Sequence, residues 1–284
     1  MYNQLQAKRI IYIEPNQHDG RFFVKVLASD GKTYQVKFNA PGQKSNINEF
    51  ISNYIGKIIK APVLNGAFIT FSQDMTDRLV EHLKLHFPTT KLPDMSCIKN
   101  NQLFGIEWQN SIIPLQTNTE LEILLDKTNN SNQFYSLYSY DQYLKNFDRH
   151  IGNHIIIKDE NKKPSYYSLI DGDRIFGSLG WERLEIFKDD FSCLKAIGAT
   201  WHKYLYNLID DKKYNHVLKY ATNIDELKEE QIALMINILK HIYTIDKSDY
   251  DKIMNYLMSR KTGFYSVCIN NATCFPNIKQ RRGL

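Results

Sequence analysis

Over the first forty residues the apolar positions fall in short runs, and beyond them they recur at three- and four-residue steps. Residues 9–14, 21–27 and 33–38 are rich in Ile, Val, Phe and Tyr, the side chains that suit a pleated, half-buried surface, so they are predicted as strands. Pro15-Asn16-Gln17-His18-Asp19-Gly20 and Ser29-Asp30-Gly31-Lys32 separate them, and an Asp-Gly pair between apolar runs predicts a hairpin. After Ala40-Pro41-Gly42, Ile47, Phe50, Ile51, Tyr54, Ile55 and Ile58 mark one face of a helix that Pro62 ends. Residues 63–71 form a further strand, residues 72–85 a helix opened by Ser72, and residues 96–108 a strand with Phe104, Ile106 and Trp108 on one side.

This order predicts a small antiparallel-sheet lobe with one principal helix over residues 1–110. The remainder, 111–284, is mainly helical, with helices over 121–126, 134–145, 190–209, 224–243 and 248–259. The last opens with Ser248-Asp249-Tyr250-Asp251, close to a capping box with Asp in place of Glu. A strand-loop-strand unit spans residues 153–176. The fold class expected is therefore α+β, as two lobes, and a chain of 284 residues exceeds the usual size of a single core.

With 43% hydrophobic and 13% aromatic residues, the chain can bury substantial cores and lacks the composition of a disordered protein. Its 36 basic and 31 acidic residues are scattered, apart from Lys279, Arg281 and Arg282, so the charge of +5 favours anionic ligands only mildly. No DNA-reading motif accompanies it, and direct nucleic-acid binding is not expected. Cys97, Cys193, Cys268 and Cys274 have neither CxxC spacing nor a suitable histidine pair, which makes reduced thiols in a cytoplasmic protein the expectation. Neither a leader pattern nor an apolar run of about 18 residues occurs, which argues against secretion and membrane spanning.

The densest chemical signal is Asn146-Phe147-Asp148-Arg149-His150-Ile151-Gly152-Asn153, leading directly into the apolar His154-Ile155-Ile156-Ile157. An Asp followed five residues later by an Asn places two groups at one phosphate: the carboxylate can accept the proton of an attacking hydroxyl, and the amide oxygen is a neutral ligand for magnesium. Downstream, Leu169-Ile170-Asp171-Gly172-Asp173 ends a second apolar strand, and a hairpin returns Asp171 beside the first loop, where it can bridge the metal to nucleotide phosphates. Asp173 points to the opposite side if the strand continues, and reaches a second metal if the chain turns. Each residue alone also has a purely structural reading, as a loop ion pair of Asp148 with Arg149, a turn cap or a hairpin residue. The combination points to phosphoryl transfer.

Upstream, Lys37 lies inside the apolar Tyr34-Gln35-Val36-Lys37-Phe38, and the next helix begins with Asn48-Glu49-Phe50. A Lys37–Glu49 pair aimed at phosphates explains both residues, while plain strand alternation explains Lys37 alone. Glu107 and Trp108, at the end of the last strand of the small lobe, mark either an inter-lobe hinge against which an adenine lies or simple packing. His150 is assigned to holding the loop shape. His82, His86, His202 and His241 read as surface or packed residues.

On Val36-Lys37-Phe38, Asn48-Glu49-Phe50 followed by Ala61-Pro62-Val63, Asp148-Arg149-His150-Ile151-Gly152-Asn153 and Leu169-Ile170-Asp171-Gly172, the chain resembles the HipA-like kinase family in its compact form. That resemblance implies a bilobal protein-kinase-like fold using ATP and Mg2+. It implies that Lys37 contacts ATP phosphates and Glu49 orients it, that Asp148 is the catalytic base, and that Asn153 and Asp171 hold magnesium. It further implies serine or threonine phosphorylation of a protein, with the chain itself among the acceptors and an antitoxin or regulatory protein as partner.

Two features depart from related kinases. No Gly-x-Gly-x-x-Gly loop is present, so a phosphate cover falls to residues 16–20 or 41–45, and Asp171-Gly172-Asp173 lacks the Phe of protein kinases. Ser178-Leu179-Gly180-Trp181-Glu182 occupies the place of an activation segment but is short. Aminoglycoside-phosphotransferase-type kinases share the Asp-to-Asn spacing but carry a His two residues before the Asp, where Asn146 stands here. A nucleotide-binding pseudokinase, or partner-binding module, is the alternative outside the enzymes.

Overall fold

The computed structural model describes residues 2–278 apart from 16–21, 40–41, 90–91, 97, 110, 147, 159–164, 178–179, 188–205 and 276. β1 (Asn3–Pro15), β2 (Phe22–Ala28) and β3 (Thr33–Phe38) are antiparallel neighbours, and α1 (Ser45–Ile59) follows them. β4 (Gly66–Thr70), α2 (Gln73–His86) and β5 (Gln102–Glu107) complete this half of the chain. The Asp30-Gly31 turn forms as expected: Gly31 has φ +80°, and Ala28 N–H donates to the Lys32 carbonyl at 2.9 Å.

The sheet differs from the small antiparallel one that alternation predicts. β5 pairs with both β3 and β4, and β4 pairs in parallel with Asn3 to Gln6 of β1, closing a five-stranded barrel in the order β1-β2-β3-β5-β4. β1 starts at Asn3 rather than near Arg9, because the polar Asn3, Gln4 and Gln6 hide the strand from an apolar count. Register shifts between Ala7 and Arg9 and between Ile10 and Tyr12 bend β1, so that its beginning faces β4 while the rest follows β2. Val24, Val26, Val36, Phe38, Ile69 and Leu103 fill the barrel, and Leu79 and Leu83 of α2 pack onto this core. α2 is the helix expected over 72–85, so two helices accompany the strands. The Ser72 hydroxyl caps α2 by accepting from Met75 N–H at 3.2 Å.

β6 (Ile112–Pro114), β7 (His154–Ile157) and β8 (Tyr166–Leu169) form a small antiparallel sheet in that order. Around it lie α3 (Asn118–Leu125), α4 (Ser136–Leu144), the single-turn α5 (Leu184–Phe187), α6 (Asp211–Asp225), α7 (Glu229–Ile242), α8 (Lys247–Lys261) and α9 (Phe264–Asn270). The helix expected over 224–243 begins only at Glu229, α6 before it was not among the expected helices, and most of that expected over 190–209 lies outside the described residues. α8 starts one residue before Ser248, with Asp246 at its N-cap, so the Ser248 capping box does not form.

α1 is held from both sides. Ile47, Phe50 and Ile55 belong to a core that continues through Tyr140 and Tyr143 of α4 and Leu169 of β8 to Tyr256 of α8. Burying one such side chain contributes about 1.5–3 kcal/mol. Polar ties add direction: Asn223 Nδ2 donates to the Ile59 carbonyl at 2.9 Å, and Tyr54 OH to the Gln231 carbonyl at 3.0 Å. Tyr243 OH donates to Asn46 Oδ1 at 2.6 Å, while Asn46 Nδ2 donates to the carbonyls of Lys37 and Phe104, each at 2.8 Å. The start of α1 is thus fixed to β3, β5 and the end of α7 at once.

Candidate active site

Strand alternation sends Tyr34, Val36 and Phe38 of β3 into the barrel and Lys37 to the other side. That side is covered, so the Lys37 side chain keeps only 13% of its exposure. Both expectations for Lys37 hold together: it alternates off the barrel interior and meets a carboxylate. Its ammonium lies 2.9 Å from Glu49 Oε2 and 3.4 Å from Asp173 Oδ2, and it also donates to Asp171 Oδ1. Burial opposes the lysine charge, but Asp171, Asp173 and Glu49 outweigh it and drive its pKa well above the ordinary value.

The second carboxylate group comes from the end of β8. The strand stops at Leu169, and Asp171 takes a left-handed backbone conformation with φ +62°, an arrangement that costs a non-glycine residue about 1 kcal/mol or more. That bend lets Asp171 and Asp173 both face Lys37, rather than opposite sides as a continued strand would dictate. Gly172 N–H donates to Glu49 Oε1 at 3.3 Å, and Asn48 Nδ2 donates to the Asp173 carbonyl at 2.9 Å. Asn48 is itself fixed by Trp181 Nε1, which donates to its Oδ1 at 2.8 Å.

The loop after α4 is organised by Arg149. Its guanidinium is buried and bidentate to Asp141 of α4 at 3.0 and 2.9 Å, and it donates to the Ile170 carbonyl at 2.8 Å. The loop ion pair between Asp148 and Arg149 that a purely structural reading offered does not form. Burial works against the Arg149 charge, and Asp141 more than restores it. Asn153 Nδ2 donates to the Asp148 carbonyl at 2.8 Å, and Ile170 N–H to the Asn153 carbonyl at 3.1 Å, so both loops are stitched together. His150 Nδ1 accepts from Gly152 N–H at 3.1 Å, a contact within the loop. The Asp148 carboxylate is 31% exposed and ion-paired with Arg174 at 3.0 Å.

The structure therefore brings Lys37, Glu49, Asp171 and Asp173 into one cluster and joins it to Asp148, Arg149 and Asn153 through Ile170 and Arg174. Glu107 and Trp108 are engaged elsewhere: Glu107 pairs with Lys32 at 3.0 Å, and Lys25 sits over the Trp108 ring at 4.4 Å. Their backbone N–H groups donate to the carbonyls of Asn65 and Thr33, each at 2.8 Å. Of the two candidate phosphate covers, residues 16–20 lie outside the described residues, and the second runs from Gly42, at φ +78°, into Ser45, the first residue of α1. Asp141, Arg174 and Asn46 have no part in the sequence-based expectation, and Asn48 enters it only as the neighbour of Glu49. For Asp141 the signal was the need of any buried arginine for a carboxylate.

Among the described residues, no three His, Cys, Asp or Glu side chains are grouped so as to hold a metal by themselves. Magnesium is commonly bound by one or two carboxylates with the rest of its shell from water and phosphate. Asp171, Asp173 and the amide oxygen of Asn153 are hard oxygen donors of that kind, so the residues present fit such an ion.

The fold is kinase-like. The chain is similar to the crystal structure of CtkA, a proinflammatory kinase of Helicobacter pylori, with a TM-score of 0.59 and 12% identity over 96% of this chain and 99% of that one. A second similarity is to HipA from the HipA–HipB toxin–antitoxin complex of Shewanella oneidensis MR-1, with a TM-score of 0.42 and 12% identity over 84% of this chain and 58% of that one. No protein-family model matches the chain, and neither does any curated protein sequence.

Proposed function

We propose that the chain is an ATP- and Mg2+-dependent phosphotransferase that moves the γ-phosphoryl group of ATP to a serine or threonine hydroxyl of a protein, with the chain itself among the acceptors. Its two lobes, 1–110 and 111–284, would meet around the phosphates. One observation carries this reading: Lys37 from the barrel, Glu49 from α1 and Asp171 with Asp173 from the end of β8 converge on one point. A purely structural ion pair needs one carboxylate, and three around one ammonium leave an excess of negative charge that suits a divalent cation.

In this reading Asp148 accepts the proton of the attacking hydroxyl, and its partial exposure gives an acceptor access. Lys37 donates to phosphate oxygens, and Glu49 keeps it pointing at them. Asn153 uses its amide nitrogen on the Asp148 carbonyl, which leaves its oxygen for the metal together with Asp171 and Asp173. Bound magnesium would neutralise the phosphate charge and align the transferred group. Arg149 and Asp141 hold the Asp148 loop at a fixed distance from Ile170 and hence from Asp171. The resemblance to HipA-like kinases makes a regulatory protein of the antitoxin kind part of the same proposal, and the cytoplasm its setting.

The test is a thermal-shift titration with ATP, with and without Mg2+, beside transfer of label from [γ-32P]ATP in a host lysate. Magnesium-dependent stabilisation and labelled Ser or Thr are expected. Stabilisation without any labelled product would leave a nucleotide-binding module, and no stabilisation would overturn the reading.

A further inference from the structure

Arg174 follows the metal-site turn directly and has no role in the scheme above. Its backbone is pinned on both sides. The Asp173 carbonyl before it accepts from Asn48, and after it Ile175 and Phe176 are buried, with Phe176 N–H donating to the Leu144 carbonyl at 2.8 Å and Gly177 N–H to the Lys145 carbonyl at 3.0 Å. Its side chain is one quarter exposed, and its buried Nε lies 3.0 Å from Oδ2 of Asp148, the carboxylate that would receive the acceptor proton.

Charge gives this position its meaning. Glu49, Asp148, Asp171 and Asp173 carry four negative charges, and Lys37 and Arg174 carry two positive ones. Lys37 is already shared among three carboxylates. Arg149 is buried and committed to Asp141 and Ile170. A triphosphate entering beside Asp148 would therefore find in Arg174 a planar, two-pronged donor ion-paired with a partly exposed carboxylate. Partly exposed ion pairs are weak, whereas guanidinium–phosphate hydrogen bonds are charge-assisted and bidentate. The exchange runs towards phosphate.

Resting on the kinase reading, we propose that Arg174 is the catalytic cation for the γ-phosphoryl group, parked on Asp148 until ATP arrives. In the parked state it covers the base, and on moving to the γ-phosphate it exposes Asp148 to the acceptor hydroxyl and meets the charge that develops during transfer. ADP lacks the group that draws Arg174 away, so the residue distinguishes ATP from ADP.

The experiment is calorimetric titration of Mg-ATP and Mg-ADP into the wild-type chain, Arg174→Lys, Arg174→Met and Asp148→Asn. Arg174→Met is expected to bind ATP roughly 10- to 100-fold more weakly with ADP affinity unchanged, and Arg174→Lys to fall between it and the wild type. Asp148→Asn, having released the arginine, is expected to bind ATP roughly two- to fivefold more tightly. Equal ATP and ADP affinities for Arg174→Met and wild type overturn the proposal, as does equal weakening of both nucleotides in an Arg174→Met protein that melts like the wild type. A wild-type chain that binds neither nucleotide overturns the kinase reading itself, an outcome visible before any variant is made.

Discussion

Asn153 donates its side-chain amide to the backbone carbonyl of Asp148, five positions earlier, at 2.8 Å, closing the loop between them on itself. The separation of the two side chains is thereby set by the loop and not by distant packing, and a short 3-10 turn over Ile151–Asn153 supplies the curvature. Asp148 can change chemistry without changing this scaffold, because its carbonyl and not its carboxylate carries the bond. Asp148→Asn is accordingly expected to lower phosphoryl transfer roughly 10²- to 10⁴-fold without weakening ATP binding. Label transfer and nucleotide calorimetry on the same preparation check it, and transfer at the wild-type rate would remove Asp148 from the base position.

Asp171→Ala is expected to abolish magnesium-dependent nucleotide binding, since it takes away the proposed metal ligand while Glu49 and Asp173 remain to hold Lys37. The measurement is the increment in melting temperature on adding Mg2+ to protein with ATP, which should vanish in the variant. An undiminished increment would move the metal assignment off Asp171.

The Arg149–Asp141 pair predicts a stability effect that is separable from chemistry. Both side chains are 1% exposed, so Asp141→Asn leaves a buried guanidinium without its counter-charge and is expected to cost about 3–5 kcal/mol in urea unfolding. Replacing both, as Arg149→Met with Asp141→Leu, removes the charge as well and should recover most of that loss.

What the sequence disclosed, and what it hid, divides along physical lines. The Lys37–Glu49 pair and the Asp148-to-Asn153 spacing were legible because each depends on local geometry, a strand alternation or a short loop. The apolar face of α1 was legible for the same reason. Closure of the barrel was not, since the residues of β1 that pair with β4 are the polar Asn3, Gln4 and Gln6 as well as Leu5. α6 itself also escaped, because Tyr214, Val217 and Tyr220 stand among Lys and Asn and dilute its helical period. Asp141 was hidden by its neighbours: α4 reads as an aromatic helix, and its carboxylate acquires meaning only when Arg149 folds back on it. Arg174 looks like an ordinary turn residue until Asp148 is seen 3.0 Å away.

Alkaline pH should loosen the fold through Cys268, buried on α9. Burial pushes this thiol up from 9.0 to about 12, with the nearby Asp225 adding to the effect against a hydrogen bond from Ser139. The unfolded chain therefore loses the proton first, and above about pH 9 folding stability falls by about 1.4 kcal/mol per pH unit until the folded thiol also ionises. Below pH 8 the group contributes no slope. Unfolding measured between pH 8 and 10 should show this decline in the wild type and a shallower one in Cys268→Ala.

Gly172 offers a test of how tightly the metal-site turn is held. A Cβ built on it would overlap the Ser52 hydroxyl of α1, so the turn can stay where it is only because that position has no side chain. Ser52 cannot easily yield, being buried and bonded to Tyr140. In Gly172→Ala the backbone must shift instead, and the shift falls on Asp171 and Asp173, the residues on either side. Overpacking of this kind costs about 1–3 kcal/mol, and a displacement of about 1 Å near reacting groups can cost about 10²-fold in rate. Gly172→Ala should therefore lose far more transfer activity than stability. Ser52→Gly in the same chain opens the space again and should return activity towards the wild-type level, which a generally misfolded Gly172→Ala protein would not do.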